Sequence, residues 1–325
     1  MLVYAGRRLL QSLFVLLLVS LIVFFGIYAV GDPMELLVHP ESTPAQIEAA
    51  RHALGLDLPV WQQYVVFLKN AVHGDLGTSF IYHRPTLELV LERMPASLEL
   101  AFVALVFALL IGLPLGILAG LFPGTWLDRT LVTSSILGFS VPNFWQALIL
   151  MMVFSVWLGV LPPNGRGETG QILGIQTSLA TWDGIRHLIL PALNLSLFKI
   201  AVVMRLARSG IREVMLKDYI KYARAKGLAA WRIVVIHALK NTMIPLITVI
   251  GMEFGSLIAY GVVTEQIFAW PGMGKLTLDS IAQLDRPVVV GYLTLVVFMF
   301  IVINLVVDIL YSVFDPRIRL GGKRA

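Results

Sequence analysis

Residues 9–30 hold no Asp, Glu, Lys, Arg or His, and as one helix they are long enough to cross the hydrocarbon core of a bilayer. Such a core is about 30 Å thick and takes roughly 20 apolar residues at helical rise. Comparable runs recur along the chain and predict six spans: Leu9–Val30, Leu98–Leu121, Leu131–Val160, His187–Ala207, Met243–Phe268 and Val288–Phe314. The third contains Pro142, which predicts a late start, a tilt or a break. Charged residues make up 14% of the 325, where soluble domains carry about 25%, so a water-soluble core could not absorb this much apolar sequence. The first run follows Arg7 and Arg8, as in a signal peptide. It is longer than the 7–15 residues of a typical apolar signal segment and no small-residue cleavage site follows, so an uncleaved helix is expected. The fold class expected is an all-α integral membrane protein with six transmembrane helices.

The basic residues set an orientation. Nine cations from Arg205 to Lys240 face only Glu213 and Asp218 in the segment joining spans four and five. The C-terminus adds Arg317, Arg319, Lys323 and Arg324. Six spans put both termini and the basic segment on one side, which is then cytoplasmic. On the other side, Gly31–Ala96 has eight acids against four bases. The net charge of +5 therefore reflects membrane orientation, not nucleic-acid binding. Absence of cysteine excludes disulfides and thiol catalysis.

Three regions follow: the N-terminus and first span over 1–30, an extracytoplasmic helical insertion over 31–97, and five helices over 98–325 with a loop at about 208–241. In the insertion, Thr43 and Pro44 open a predicted helix that Gly55 ends, and Trp61–Val72 predicts a second, amphipathic one. In the basic loop, Ile211–Lys226 and Trp231–Lys240 predict two helices joined at Gly227. The first has an apolar stripe of Val214, Met215, Tyr219 and Ile220. Such a helix suits a groove on another protein or, equally, an anionic lipid surface.

Several motifs carry a resemblance. Tyr222-Ala-Arg-Ala-Lys-Gly227 precedes His237-Ala-Leu-Lys-Asn241 and Pro245. Gly31-Asp-Pro33, Gly55-Leu-Asp-Leu-Pro59 and Gly74-Asp-Leu-Gly77 lie upstream. Thr264-Glu-Gln-Ile-Phe-Ala-Trp-Pro-Gly-Met-Gly274 and Asp315-Pro-Arg317 lie downstream. In this order they resemble the ABC importer permeases of the dipeptide/oligopeptide/nickel family, specifically the B-type, first transmembrane subunit. The resemblance implies a bacterial cytoplasmic (inner) membrane permease that pairs with a second permease. Two cytoplasmic ATPase subunits bind ATP and magnesium below it, and an extracytoplasmic substrate-binding protein delivers from above. This chain then needs no cofactor and is not itself an enzyme. The loop implies a coupling helix, with Ala223 and Gly227 at the ATPase dock and Arg224, Lys226 and Asp218 beside them. The loop departs from the wider importer pattern at Lys221 and Tyr222, and Pro245 stands late. The implied substrate is a di- or oligopeptide; nickel chelates and glutathione are alternatives within the family, and a secondary transporter is the alternative outside it.

Charges inside spans are costly, about 2.5–3.5 kcal/mol on insertion scales, and call for a role. Lys199 and Glu253 either face the translocation path or pair with each other. Glu99 is expected to cap the start of the second span, and Asp308 with Asn304 to be structural. Pro271-Gly-Met-Gly-Lys275 lacks the upstream Gly and the following Ser or Thr of a phosphate loop, which excludes nucleotide binding there. The six histidines show no metal-ligand spacing.

Overall fold

The structure is a computed structural model that describes residues 2–28, 31–38 and 42–314. The tail cations from Arg317 onward and the Asp315-Pro-Arg317 motif lie outside those residues. The side chains of Arg7, Arg8, Pro245 and Asp308 also lie outside what is described.

The described residues fall into two compact units, one from Met1–Ser97 with Pro271–Ile301 and one from Leu98–Trp270 with Val302–Ala325. The first contains α1 (Leu2–Tyr28), the short α2 (Met34–Leu37), α3 (Pro44–Ala53), α4 (Val60–Val72), the first turns of α5 (Thr86–Leu121), α12 (Met273–Ala282) and the start of α13 (Arg286–Phe314). The expected caps of α3 are present. The Thr43 N–H donates to Gln46 Oε1 (2.8 Å), and Gln46 N–H donates back to Thr43 Oγ1 (3.4 Å). Gly55 follows the helix at φ +68°. Phe24 and Ile27 of α1 are buried with Tyr64 of α4 and with Val289 and Val290 of α13. Asp285 is fully buried and accepts hydrogen bonds from Ser79 Oγ and from the Phe80 N–H (3.1 Å), which ties α13 to the turn before α5.

The second unit contains the rest of α5 and α13, together with α6 (Trp126–Ser140), α7 (Asn143–Met151), a π-helical turn Met152–Trp157, strands β1 (Gly170–Ile172) and β2 (Ile175–Thr177), α8 (Trp182–Met215), α9 (Asp218–Ala225), α10 (Ala230–Arg232), a second π-helical turn Ile233–Leu239, and α11 (Lys240–Ile267). Its core runs along α8. Gly112, Gly116 and Gly120 recur every fourth residue of α5 where it meets α8. A Cβ at these positions would come within 2.8, 2.4 and 2.8 Å of the carbonyl oxygens of Ile200, Met204 and Arg208. Only glycine admits that approach of two backbones.

Among the described residues, four helices are long and apolar enough to cross a membrane: Leu10–Ile27, Thr86–Leu121, Trp182–Met215 and Arg286–Val307, with Asn143–Trp157 as a shorter apolar helix. Several expectations are met or corrected. The run Leu131–Val160 breaks at Pro142, one of the outcomes expected there, because Val141 is extended and Pro142 caps α7 rather than continuing α6. Gln146 Nε2 donates to the carbonyls freed at Gly138 (2.6 Å) and Val141 (3.0 Å). The chain is not wholly helical either. β1 and β2 pair antiparallel around a two-residue turn with both Leu173 (φ 52°) and Gly174 (φ 79°) left-handed. Ile211–Lys226 is not one helix: α8 ends at Met215, and Lys217 turns extended to begin α9. Trp231–Lys240 is no separate helix, since α10 and the π-helical turn lead directly into α11.

Candidate functional site

The loop between α8 and α11 folds back on itself through a small apolar core. Ile211 and Val214 of α8, Ile220 and Ala223 of α9, and Ile233 and Ala238 are buried together, with Leu228 against them. The expected stripe is therefore split: Val214 and Ile220 point into the chain, and Ala223 is buried too. The exposed apolar groups of the loop include Leu216, Tyr219, Tyr222, Trp231, Val235 and Ile236.

The end of α9 explains Gly227. The Leu228 N–H donates to Ala223 O (3.2 Å) and the Gly227 N–H to Arg224 O (2.9 Å). This is the six-to-one, five-to-two bonding of a Schellman cap, with Leu228 and Ala223 supplying its apolar contact. Gly227 takes φ +73°, and a Cβ there would meet nothing within 4 Å. Backbone conformation, not space, demands glycine. At the other end, Asp218 lies in the first turn of α9, where an anion complements the helix dipole, and Lys221 Nζ donates to it (2.8 Å). Lys221 holds the Asp218 carboxyl below its usual value, and Glu213 raises Lys217. Tyr222, Arg224 and Lys226 project into open space. Asn241 Nδ2 donates to the Tyr219 hydroxyl (3.0 Å) and to His237 O (2.8 Å), which joins the second half of the motif to α9.

Lys199 of α8 and Glu253 of α11 form an ion pair. Lys199 also donates to Ser256 Oγ (2.6 Å), which donates to Glu253 Oε2 (3.0 Å). Each charge has a partner inside the second unit, so its presence in an apolar helix is accounted for without a substrate.

Three polar groupings were not anticipated from the sequence. Asn194 Nδ2 donates to Asn143 Oδ1 (2.7 Å) and to Thr264 Oγ1 (3.1 Å), which joins α8, α7 and α11. Asp128, in the first turn of α6, takes two hydrogen bonds from Arg208 (2.5 and 3.0 Å). The guanidinium is the main reason its carboxyl is lowered to about 2. Glu99 does not cap a helix start, because α5 begins well before it, at Thr86. It accepts from Arg166 Nη2 (2.6 Å), Thr177 Oγ1 (2.8 Å) and the Ser178 N–H (2.7 Å), fixing the segment that carries the hairpin. Arg166 also lies 5.7 Å from the centre of the Trp270 ring. Longer-range pairing of this kind has no periodic signal in sequence.

Comparison with known proteins bears on these groups. The family described as "Binding-protein-dependent transport system inner membrane component" matches residues 112–320, and its N-terminal counterpart matches residues 1–101. The chain is 43% identical over 305 residues to the probable D,D-dipeptide transport system permease protein DdpB of Escherichia coli K12, covering 90% of each. It is 43% identical over 303 residues to the di/tripeptide transport system permease protein DppB of Pseudomonas aeruginosa, covering 89% of this chain and 90% of that one. It is 40% identical over 317 residues to the oligopeptide transport system permease protein AppB of Bacillus subtilis, covering 97% and 98%. The fold is similar to that in the inward-facing MetNI methionine ABC transporter, with a TM-score of 0.54, 17% identity, and 70% of this chain and 97% of that one covered.

Proposed function

The chain belongs to the binding-protein-dependent transport system inner membrane components, and from that premise we propose that it forms half of the path by which an ATP-driven importer admits di- or oligopeptides. The substrate class is supported by the relatives, whose names specify dipeptides, di/tripeptides and oligopeptides. The observation that carries the coupling role is α9. It is a short, Schellman-capped helix between two long helices, with Tyr222, Arg224 and Lys226 exposed and its own apolar face already buried. A rigid element of that kind can transmit a push from a partner without unfolding. Ala223 and Gly227 then shape the docking element from within, while Tyr222, Arg224 and Lys226 make the contact, with Asp218 at its rim.

In this reading six spans cross the membrane. The broken α6–α7 pair supplies the third, and both termini and α9 lie on the cytoplasmic side. Residues 31–97 face the substrate-binding protein, a second permease completes the path, and two separate ATPase subunits bind ATP and magnesium. Lys199 and Glu253 stand beside the path as a pair on its wall.

The test is mild-detergent capture of the tagged chain from its own membrane, with mass spectrometry of what accompanies it and uptake of a labelled dipeptide by the reconstituted material. A second permease and an ATPase in the capture, with uptake that requires ATP, are expected. Uptake by this chain alone would overturn the reading.

A further inference from the structure

The first unit holds a cleft of about 370 Å3 that the transport reading does not use. Its lining is mainly apolar, with Phe24 and Ile27 of α1, Leu58, Val66 and Phe67 around α4, and Val290 of α13. Gln63, Asn70, Asp75, Thr78, Ser79, His83 and Arg286 are the polar residues among its lining. The volume lies within the roughly 300–1,000 Å3 of small-molecule sites.

The Tyr64 hydroxyl is 3.0 Å from Ser20 Oγ and 3.3 Å from Leu17 O of α1. Ser20 is a further two turns into α1 from Ile27, about 10 Å along the axis at 1.5 Å per residue. The α1 stretch Leu10–Ile27 is apolar enough to span, so α4 reaches into one leaflet of the hydrocarbon core, and the cleft meets α1 at Phe24 and Ile27, at the end of that stretch. The lining residues Leu58 and Val66 are themselves half exposed, and Leu21, Ile22 and Phe25 on α1 are exposed as well. The cleft wall thus runs on into the apolar surface that α1 offers to lipid.

We propose that this cleft holds an acyl chain of a membrane phospholipid from the leaflet at the Ile27 end of α1, its headgroup meeting the polar side chains at the cleft. Water does not suit the apolar wall, because Phe24, Ile27, Leu58 and Val290 give it too few partners. A peptide does not suit that wall either, because its amides would be left unpaired against Phe24, Ile27 and Val290.

The experiment is native mass spectrometry of the full chain, captured with whatever accompanies it and washed in detergent until bulk lipid is lost. The wild type should retain a stoichiometric phospholipid. Val66→Trp and Leu58→Trp fill the cleft from half-exposed positions, and each should lower retention about tenfold, a change of about 1.4 kcal/mol. Val66→Ala should retain the lipid, and thermal unfolding shows which variants are folded. Equal phospholipid on a folded tryptophan variant would overturn the proposal. So would a wild type that carries detergent only, or one whose cleft cross-links to another polypeptide. None of these outcomes depends on transport.

Discussion

Arg208 grips both oxygens of Asp128, at 2.5 and 3.0 Å, and so joins the last turns of α8 to the first turn of α6. The Asp128 side chain is 5% exposed, and the Gly124 N–H also donates to it (2.9 Å). A carboxylate in that position is worth more to the fold ionised than protonated.

The pH dependence follows with a definite sign. The folded carboxyl titrates at about 2, below its ordinary 3.8. Its contribution is complete above the unfolded value and is lost as pH falls from about 4 toward 2. Asp128→Asn should therefore lower the unfolding temperature in detergent at neutral pH and reduce the acid sensitivity between pH 4 and pH 2, leaving the part that other paired carboxylates such as Asp218 supply. An unchanged acid profile in the variant would refute this assignment. Asp128→Ala, which leaves Arg208 without its carboxylate, should cost about 3 kcal/mol.

Close packing of α5 on α8 predicts a contrast between two glycines. At Gly116 a Cβ would lie 2.4 Å from a backbone oxygen and 2.7 Å from the Ala207 Cβ, neither of which can swing aside. Gly116→Leu should abolish the folded protein, read as loss of a monodisperse peak in gel filtration. Gly138→Ala, with nothing within 4 Å, should be neutral or stabilising by up to about 1 kcal/mol.

The Schellman cap separates conformation from contact at Gly227. Gly227→Ala should destabilise by about 1 kcal/mol through the left-handed penalty, and Gly227→Asn by less, because Asn tolerates that region. Tyr222→Ala, on the exposed face, should leave unfolding unchanged but reduce the transport obtained per ATP hydrolysed. If Tyr222→Ala left coupling intact, α9 would lose its proposed role.

Lys199 and Glu253 are open to a double-mutant cycle. Each single replacement by Ala leaves a buried charge unpaired and should cost several kcal/mol, whereas the double replacement should recover much of that loss. Uptake of cationic and anionic dipeptides by the double variant then tests the path. A shift in charge preference supports a place on its wall, and an unchanged preference assigns the pair to helix joining alone.

What could be read directly were features encoded locally. The apolar runs marked α1, α5, α8 and α13, and their helices extend beyond those runs because polar flanks such as Thr86–Ser97 continue the backbone hydrogen bonding outside the apolar window. Thr43, Pro44 and Gly55 marked α3, since capping acts within four residues. The motif around Gly227 located the loop. It did not reveal that Ala223 and Ile220 face inward, because a stripe on a short helix looks the same whether it faces a partner or its own chain.

Composition and local pattern alone thus determined a helical membrane chain with a basic loop, because hydrophobic length and capping are properties of neighbouring residues. Only the tertiary structure decided which charges meet: Arg208 with Asp128, Glu99 with Arg166, Lys199 with Glu253. Those pairs lie 54 to 80 positions apart in sequence. Desolvation makes each unpaired charge too costly to bury, so the fold that brings the partners together is the one that can keep them.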